Sequence, residues 1–191
     1  MKNLLLIYGH DVFQRTRGQL TDYMIDLIRD KLNPHFELKE TNIYKGYNIK
    51  EEIGKFQWTD IALIQTPIYW FSIPGNLKKY FDDVFIPDVF FKKAKGFGRG
   101  GLLTQKEYML SVTWGANIKV VTVSQDSFLE GDSEDQILAT IYKIFEYCGL
   151  NRLPSFSIYS AMKNPPLKEY KSQLQDYLQR HIIKGEESNA L

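Results

Sequence analysis

The chain has 191 residues, a length that suits one domain and buries enough surface to fold without covalent staples. Its 24 basic and 23 acidic residues give a net charge of +1, which argues against a nucleic-acid binder, because such proteins concentrate positive charge. The single cysteine excludes an internal disulfide and a cysteine-based zinc site, and three scattered histidines give metal catalysis little support.

The first half of the chain alternates strand and helix patterns. Residues 3–8 form a continuous apolar run, which predicts a strand buried on both faces. Apolar residues from Leu20 to Leu32 then recur at helical spacing, and Asn33-Pro34 ends that helix. The next predicted elements are a strand at 35–41, a short helix at 49–58 and a buried strand at 61–66.

The second half continues the alternation and suggests the topology. Ser133 and Gln136 have the spacing of a capping box, and Gly149 ends the helix that they open. Five strands in β-α units imply a parallel sheet covered on both sides, in the flavodoxin-like order 2-1-3-4-5 of a three-layer α/β sandwich. The predicted elements are a helix from Pro74 to Phe85, a strand at 107–113, the helix from Ser133 to Gly149, a strand at 153–159 and a helix at 167–182.

The ends of the chain bear on domain limits and location. Residues 185–191 are expected to be a disordered tail, which leaves a single domain at 1–184. The first apolar run, residues 4–8, is too short for a signal sequence or a membrane span. We therefore expect a cytoplasmic protein without membrane insertion.

The loop between the first strand and the first helix, residues 9–20, could bind a phosphate. Thr16 and Gln19 have the spacing of a capping box, which would leave the N–H groups of residues 17–19 at a helix N-terminus, with Arg17 adding positive charge. A capped helix start with a solvated arginine explains the same residues equally well. No Gly-Lys-Ser/Thr follows, so this is not a nucleotide P-loop.

Two aromatic loops follow the third and fourth strands. The first reads Thr66-Pro67-Ile68-Tyr69-Trp70-Phe71-Ser72-Ile73-Pro74-Gly75, and the second reads Thr113-Trp114-Gly115-Ala116. A hydrophobic plug is one interpretation. The favoured one is a wall for a flat aromatic ligand, since both loops lie at adjacent strand ends beside the predicted phosphate site. Together these features predict a site for a flavin nucleotide.

Other suggestive residues carry less weight. Gly96, Gly98 and Gly101 match G-x-G-x-x-G but precede a strand, so we reject a dinucleotide fingerprint and predict a flexible loop that could close over a ligand. His10 could touch a phosphate but is more typical of a hydrogen-bonded loop residue. Cys148 is expected to be a buried core thiol, and Asp82-Asp83 ordinary surface charge.

The motifs taken together resemble the modulator of drug activity B family, from residue 2 to about 180. These proteins are flavodoxin-fold NAD(P)H:quinone oxidoreductases, more distantly similar to DT-diaphorase. The resemblance rests on Arg17-Gly18-Gln19-Leu20, Asp60, Pro67-Ile68-Tyr69-Trp70, Lys78-Lys79-Tyr80-Phe81-Asp82-Asp83-Val84-Phe85, Gly98-Arg99-Gly100-Gly101-Leu102 and Tyr108-Met109-Leu110-Ser111-Val112-Thr113-Trp114.

The resemblance implies bound FAD, NAD(P)H as electron donor, a quinone as acceptor, and a homodimer with flavin sites at its interface. It implies ping-pong two-electron hydride transfer through flavin N5, with no catalytic acid-base residue and no metal. The residues expected to hold the phosphates and ribityl chain are Thr16, Arg17, Gly18, Gln19, Leu20, Thr21, Asp22 and Tyr23. Those expected around the isoalloxazine are Pro67, Ile68, Tyr69, Trp70, Phe97, Thr113, Trp114, Gly115 and Ala116.

Some residues depart from the family pattern. Phe97 stands where tyrosine is common, and Gly115 where asparagine is frequent. The stretch containing Phe128, Glu130 and Gly131 replaces a His-Gly pair and is expected to contact substrate. Three alternatives are an FMN-dependent NAD(P)H reductase of azo or nitro compounds, a flavodoxin-like electron carrier, and a regulatory flavoprotein on a membrane transporter. Electron carriers are typically acidic, which disfavours the second.

Overall fold

The computed structural model describes residues 1–12, 18–163 and 165–184. The sheet is parallel, its order is β2-β1-β3-β4-β5, and β6 pairs with the later part of β4. This confirms the predicted flavodoxin-like order. The strands are β1 (Lys2–Tyr8), β2 (Phe36–Asn42), β3 (Ile61–Ile68), β4 (Glu107–Trp114), β5 (Asn151–Arg152) and β6 (Phe156–Ile158).

Helices cover both faces of the sheet. The first and last long helices pack on one face, and the second, third and sixth pack on the other. The helices are α1 (Gln19–Leu32), α2 (Ile49–Trp58), α3 (Gly75–Val84), α4 (Ile118–Val121), α5 (Glu134–Ile137), α6 (Ala139–Tyr147) and α7 (Leu167–Leu178), with a 3₁₀ turn at Ile43–Lys45 and a π-helical turn at Gln179–Ile183.

β1 is apolar along most of its length because helices cover the sheet on both faces. Leu4 and Leu6 pack under α1 and α7, whereas Leu5 and Ile7 pack under α2 and α3. Side chains alternate between faces along a strand, so a strand covered on both sides has to be apolar throughout. The core therefore consists of two layers, one on each side of the sheet.

Two predicted elements differ in the structure. Only residues 156–158 of the strand predicted at 153–159 form a strand, β6, and residues 153–155 separate it from the two-residue strand β5 at Asn151–Arg152. Pro154 has no N–H to donate to a neighbouring strand, and it lies at this break. The helix predicted from Ser133 to Gly149 is divided into α5 and α6 at Leu138, although its capping box forms as predicted.

The predicted tail at 185–191 lies outside the described residues, and the single-domain limits of 1–184 stay a prediction. Within the described ranges, no helix is both long enough and apolar enough to cross a membrane.

Candidate functional site

Three neighbouring strands end side by side, and we call this end of the sheet the carboxyl edge. β1 ends at Tyr8, β3 at Ile68 and β4 at Trp114. Ile68 and Trp114 are partners in register, and Tyr8 is the partner of Gln65. The loops that follow these strands therefore start along one edge, which is where open α/β sheets bind ligands.

The loop after β1 brings a histidine ring against the start of α1. Gly18 is the N-cap of this helix with φ +73°, and a Cβ at Gly18 would lie 2.3 Å from the His10 ring carbon Cδ2. His10 is buried, and its Nδ1 has no hydrogen-bond partner among the described residues. Burial lowers the pKa of His10, which keeps the ring neutral at pH 7. The first N–H groups of a helix have no partner within the helix, and a ring N–H beside them can donate to a phosphate oxygen.

The start of α1 differs from the predicted capping box. Thr16 and Arg17 lie outside the described residues. The helix begins at Gln19 behind Gly18, so the predicted pairing of Thr16 with Gln19 does not define its N-cap. The backbone of residues 18–20 is therefore the part that can face a phosphate. The other predicted residues of this stretch pack inward or face solvent: Leu20, Thr21 and Tyr23 inward, Asp22 outward.

The loop after β3 forms a tight turn at residues 69–72. Tyr69 N–H donates to the Ser72 carbonyl at 2.8 Å, and Ser72 N–H donates to the Tyr69 carbonyl at 3.1 Å. Trp70 and Phe71 at the tip have φ of 51° and 65°. Bulky residues seldom adopt positive φ, which costs about 1–3 kcal/mol each and occurs at functional sites. The predicted residues Pro67 and Ile68 are buried beneath this turn.

The turn displays aromatic surface toward solvent. The Trp70 side chain is 94% exposed. The backbone N–H groups of Trp70 and Phe71 make no backbone hydrogen bond to another described residue. An exposed indole beside two available N–H donors can hold the flat face and the polar edge of a ring system. The sequence reasoning included Trp70 but left Phe71 out of the site.

Trp114 does not have the predicted stacking role. Its side chain is 2% exposed, packs in the core and donates through Nε1 to the Glu134 carboxylate at 2.9 Å. Thr113 is also buried, so only Gly115 and Ala116 of the predicted four residues reach the surface. The loop after β4 therefore offers backbone and small side chains to a ligand, whereas the indole ring anchors the loop from inside.

The predicted substrate residues belong to the connection between β4 and α5. The Phe128 ring contacts the Phe71 ring edge-to-face, with 5.5 Å between ring centroids, and is 79% exposed. Glu130 is exposed, and Gly131 has φ +80° with its N–H donating to the Thr122 carbonyl at 2.9 Å. The structure thus brings Phe128 beside the turn at 69–72, while Glu130 faces solvent.

Phe97 lies at the opposite end of the sheet from the other predicted site residues. Its ring is 97% exposed and 5.9 Å from the ring of Tyr147, the last residue of α6. Residues 86–106 connect the end of α3 to the start of β4, and such a helix-to-strand connection lies at the amino ends of parallel strands. Within one chain, Phe97 and the loop at 91–101 therefore cannot close over the carboxyl edge.

Cys148 lies where the sequence predicts it, in the core. Cys148 is buried, and burial raises the pKa of its thiol to about 12, as expected for an inert core cysteine. Among the described residues, no group of three or more histidine, cysteine or acidic side chains could hold a metal ion.

The sheet order and the carboxyl-edge site define a flavodoxin-like protein. The family model of the flavodoxin-like fold matches residues 2–181, and the chain belongs to this family. A relative with full-length similarity is NADPH:quinone oxidoreductase MdaB of Haemophilus influenzae. It is 33% identical over 189 residues, which cover 93% of this chain and 98% of the relative. This confirms the resemblance to the modulator of drug activity B family.

Two further proteins extend the comparison. Ribosyldihydronicotinamide dehydrogenase [quinone] of Rattus norvegicus is 29% identical over 186 residues, which cover 80% of this chain and 79% of the relative. The crystal structure of general stress protein 14 from Treponema denticola in complex with FMN superposes with a TM-score of 0.68. It is 22% identical, and the match covers 94% of this chain and 97% of that protein. The names of the two sequence relatives are those of enzymes, which confirms the expectation of an enzyme.

Proposed function

We propose that the protein is an FAD-dependent NAD(P)H:quinone oxidoreductase. The observation that carries this proposal is the aromatic turn at residues 69–72, which lies with Phe128 on the carboxyl edge of a flavodoxin-like sheet. The full-length similarity to MdaB supports the same activity. A flavin accepts a hydride from NAD(P)H at N5 and passes two electrons to a quinone, so the protein needs no acid-base triad.

The described residues fit such a cofactor at both of its ends. At the start of α1, the backbone N–H groups of residues 18–20 can donate to phosphate oxygens, and the lack of a Cβ at Gly18 leaves room for the His10 ring beside them. At the other end, the N–H groups of Trp70 and Phe71 can donate to the polar edge of the ring, where negative charge gathers on reduction.

The first prediction concerns the cofactor itself. We expect the purified protein to be yellow and to release one FAD per chain, because a phosphate site and an aromatic ring site lie on the same edge. Denaturation followed by chromatography of the released flavin distinguishes FAD from FMN, the cofactor in the fold neighbour from T. denticola. Release of FMN alone would replace the proposal with an FMN-dependent reductase. A colourless protein that takes up neither flavin would end both.

The second prediction concerns the order of reaction. The ring would rest on the strand-end loops with one face, which leaves one open face for donor and acceptor. NAD(P)H and quinone must then bind in turn to the same pocket, so we expect parallel double-reciprocal plots at varied quinone concentration. Excess quinone should inhibit competitively against NAD(P)H. Intersecting plots would indicate a ternary complex and two separate sites.

The third prediction concerns a homodimer. Residues 92–100 form an arm closed at its base by Lys92 N–H donating to the Gly100 carbonyl at 2.8 Å, with Phe97 at its exposed end. An aromatic side chain that cannot reach its own carboxyl edge can reach that of a second chain. We therefore expect light scattering to give twice the mass of one chain, and Phe97→Ser to weaken association. A monomer with full flavin content and activity would contradict the proposed dimer.

A cytoplasmic location is part of the same proposal, because NAD(P)H is available inside the cell. Cell fractionation checks this, and recovery in the extracellular fraction would contradict it.

A further inference from the structure

One carboxylate joins three separate segments next to the proposed site. Glu134, the first residue of α5, accepts hydrogen bonds from Trp114 Nε1 at 2.9 Å, from Tyr159 OH at 2.6 Å and from Ser157 Oγ. Burial and the neighbouring carboxylate raise the pKa of Tyr159, so its hydroxyl stays protonated and donating. Hydrogen bonds to an ionised acceptor are stronger than neutral ones, and three of them hold this carboxylate.

These bonds close the base of a long excursion of the chain, and we call residues 115–133 the cover segment. The segment leaves the sheet after Trp114 and returns at Ser133, so the bond from Glu134 to Trp114 joins its two ends. Two backbone bonds support the outgoing end: Ala161 N–H donates to the Trp114 carbonyl at 2.8 Å, and Ser160 N–H donates to the Ala116 carbonyl at 3.2 Å.

The cover segment carries the aromatic ring that meets the turn at residues 69–72. Phe128 contacts Phe71 at 5.5 Å between ring centroids, although Phe128 is 79% and Phe71 39% exposed. All four residues from 123 to 126 are exposed, so few core contacts hold the middle of the segment. Leu129, next to Phe128, is buried in the core, so the position of Phe128 depends on this anchor and on how firmly the two ends of the segment are fixed.

We propose that Glu134 is a positioning residue that fixes the cover segment over the carboxyl edge and thereby limits the size of acceptor that the site admits. Its carboxylate accepts hydrogen bonds from Trp114, Ser157 and Tyr159, and the bond from Trp114 holds the start of the cover segment. The part of the inference that concerns acceptors rests on the proposed function. The part that concerns the cover segment rests on the contacts of this chain alone.

The variants separate the carboxylate from general effects of substitution. Glu134→Leu removes both acceptor oxygens and with them all three hydrogen bonds. Glu134→Gln keeps one oxygen for the indole and should behave nearly as the wild type. Tyr159→Phe removes one bond and serves as a milder variant if the leucine variant does not fold. Glu169→Leu makes the same change at an exposed glutamate of α7 and is the matched control.

Hydrogen exchange of the full chain, measured without nucleotide or quinone, tests the positioning. In Glu134→Leu we expect amides of the cover segment to exchange about tenfold faster, because a charged hydrogen bond at its base is lost. Exchange in β1 and β3 should stay unchanged, and Glu134→Gln should lie near the wild type. Equal exchange of the segment in the wild type, Glu134→Leu and Tyr159→Phe would overturn the proposal.

The flavin-loaded enzyme tests the consequence for acceptors. We expect Glu134→Leu to raise the ratio of kcat/KM for a bulky para-quinone to kcat/KM for a small one by about fivefold. The rate at which NAD(P)H reduces the flavin in the absence of quinone should change little. Faster exchange with an unchanged quinone ratio would overturn the role in acceptor selection. Absence of quinone reduction in the wild type would instead overturn the proposed function and leave the exchange result standing.

Discussion

Gly18→Ala is expected to lower flavin affinity by about 100-fold, which corresponds to about 2.8 kcal/mol. The added Cβ would lie 2.3 Å from His10 Cδ2 and 2.5 Å from Nε2, so the ring must move away from the start of α1. His10 would then lose its proposed bond to the cofactor phosphate, and bonds to charged groups contribute about 1.5–3 kcal/mol. The positive φ of 73° adds strain, since alanine disfavours the left-handed region by about 1–2 kcal/mol.

Gly46→Ala is the matched control for this prediction. Gly46 also has a positive φ, of 89°, but nothing lies within 4 Å of a Cβ built there. Both variants therefore carry backbone strain, and only Gly18→Ala displaces His10. Titration of each flavin-free protein with FAD, followed by quenching of flavin fluorescence, gives the two affinities. Equal affinity in the two variants would remove Gly18 and His10 from the phosphate site.

Much of the fold was predictable because buried parallel strands and amphipathic helices leave strong periodic patterns. The apolar runs of β1, β3 and β4 and the stripe of α1 have one interpretation each. The edge of the sheet beyond β4 was harder to predict, because only residues 156–158 of the strand predicted at 153–159 pair with β4. The two short strands there, β5 before the predicted bounds and β6 within them, are defined by their pairing with β4 rather than by local sequence.

The site was predicted less completely, because exposure and backbone conformation are set by tertiary contacts. The sequence identified Trp70 and Trp114 as equivalent walls, yet one is 94% exposed and the other 2% exposed. The difference arises from Glu134, twenty residues after Trp114, and no local pattern predicts that hydrogen bond. Phe71 was missed for a related reason, since a positive φ is not expected of phenylalanine. Phe97 was grouped with the site by resemblance, whereas the topology places it at the opposite end of the sheet.

Glu52→Ala is expected to destabilise the fold by about 3–5 kcal/mol, a large share of the roughly 5–15 kcal/mol typical of a domain. Glu52 is 2% exposed and accepts bonds from Thr41 Oγ1, Tyr80 OH and Lys55 Nζ, each at 2.7 Å. These partners lie on β2, α3 and α2, so one carboxylate joins a strand and two helices. Removing it leaves a hydroxyl, a phenol and an ammonium group without their shared acceptor.

Thermal and urea unfolding of the wild type and variants checks this prediction, with a fall in Tm of about 10 °C expected for Glu52→Ala. Burial and, to a smaller extent, the Glu52 carboxylate raise the pKa of Tyr80, so its hydroxyl remains a donor. Tyr80→Phe removes only this one hydrogen bond, and we expect it to lower the free energy of unfolding by about 1 kcal/mol. Glu51→Ala is the control, because this neighbouring glutamate is exposed and its loss should change stability by less than about 0.5 kcal/mol.

The hydrogen bonds of Glu52 also connect to the proposed site, since Tyr80 lies on α3 and Asn76 at the start of that helix donates to the His10 carbonyl at 2.8 Å. Glu52→Ala should therefore weaken flavin binding by shifting α3, and equal stability of the Glu51 and Glu52 variants would show that the buried carboxylate stabilises nothing.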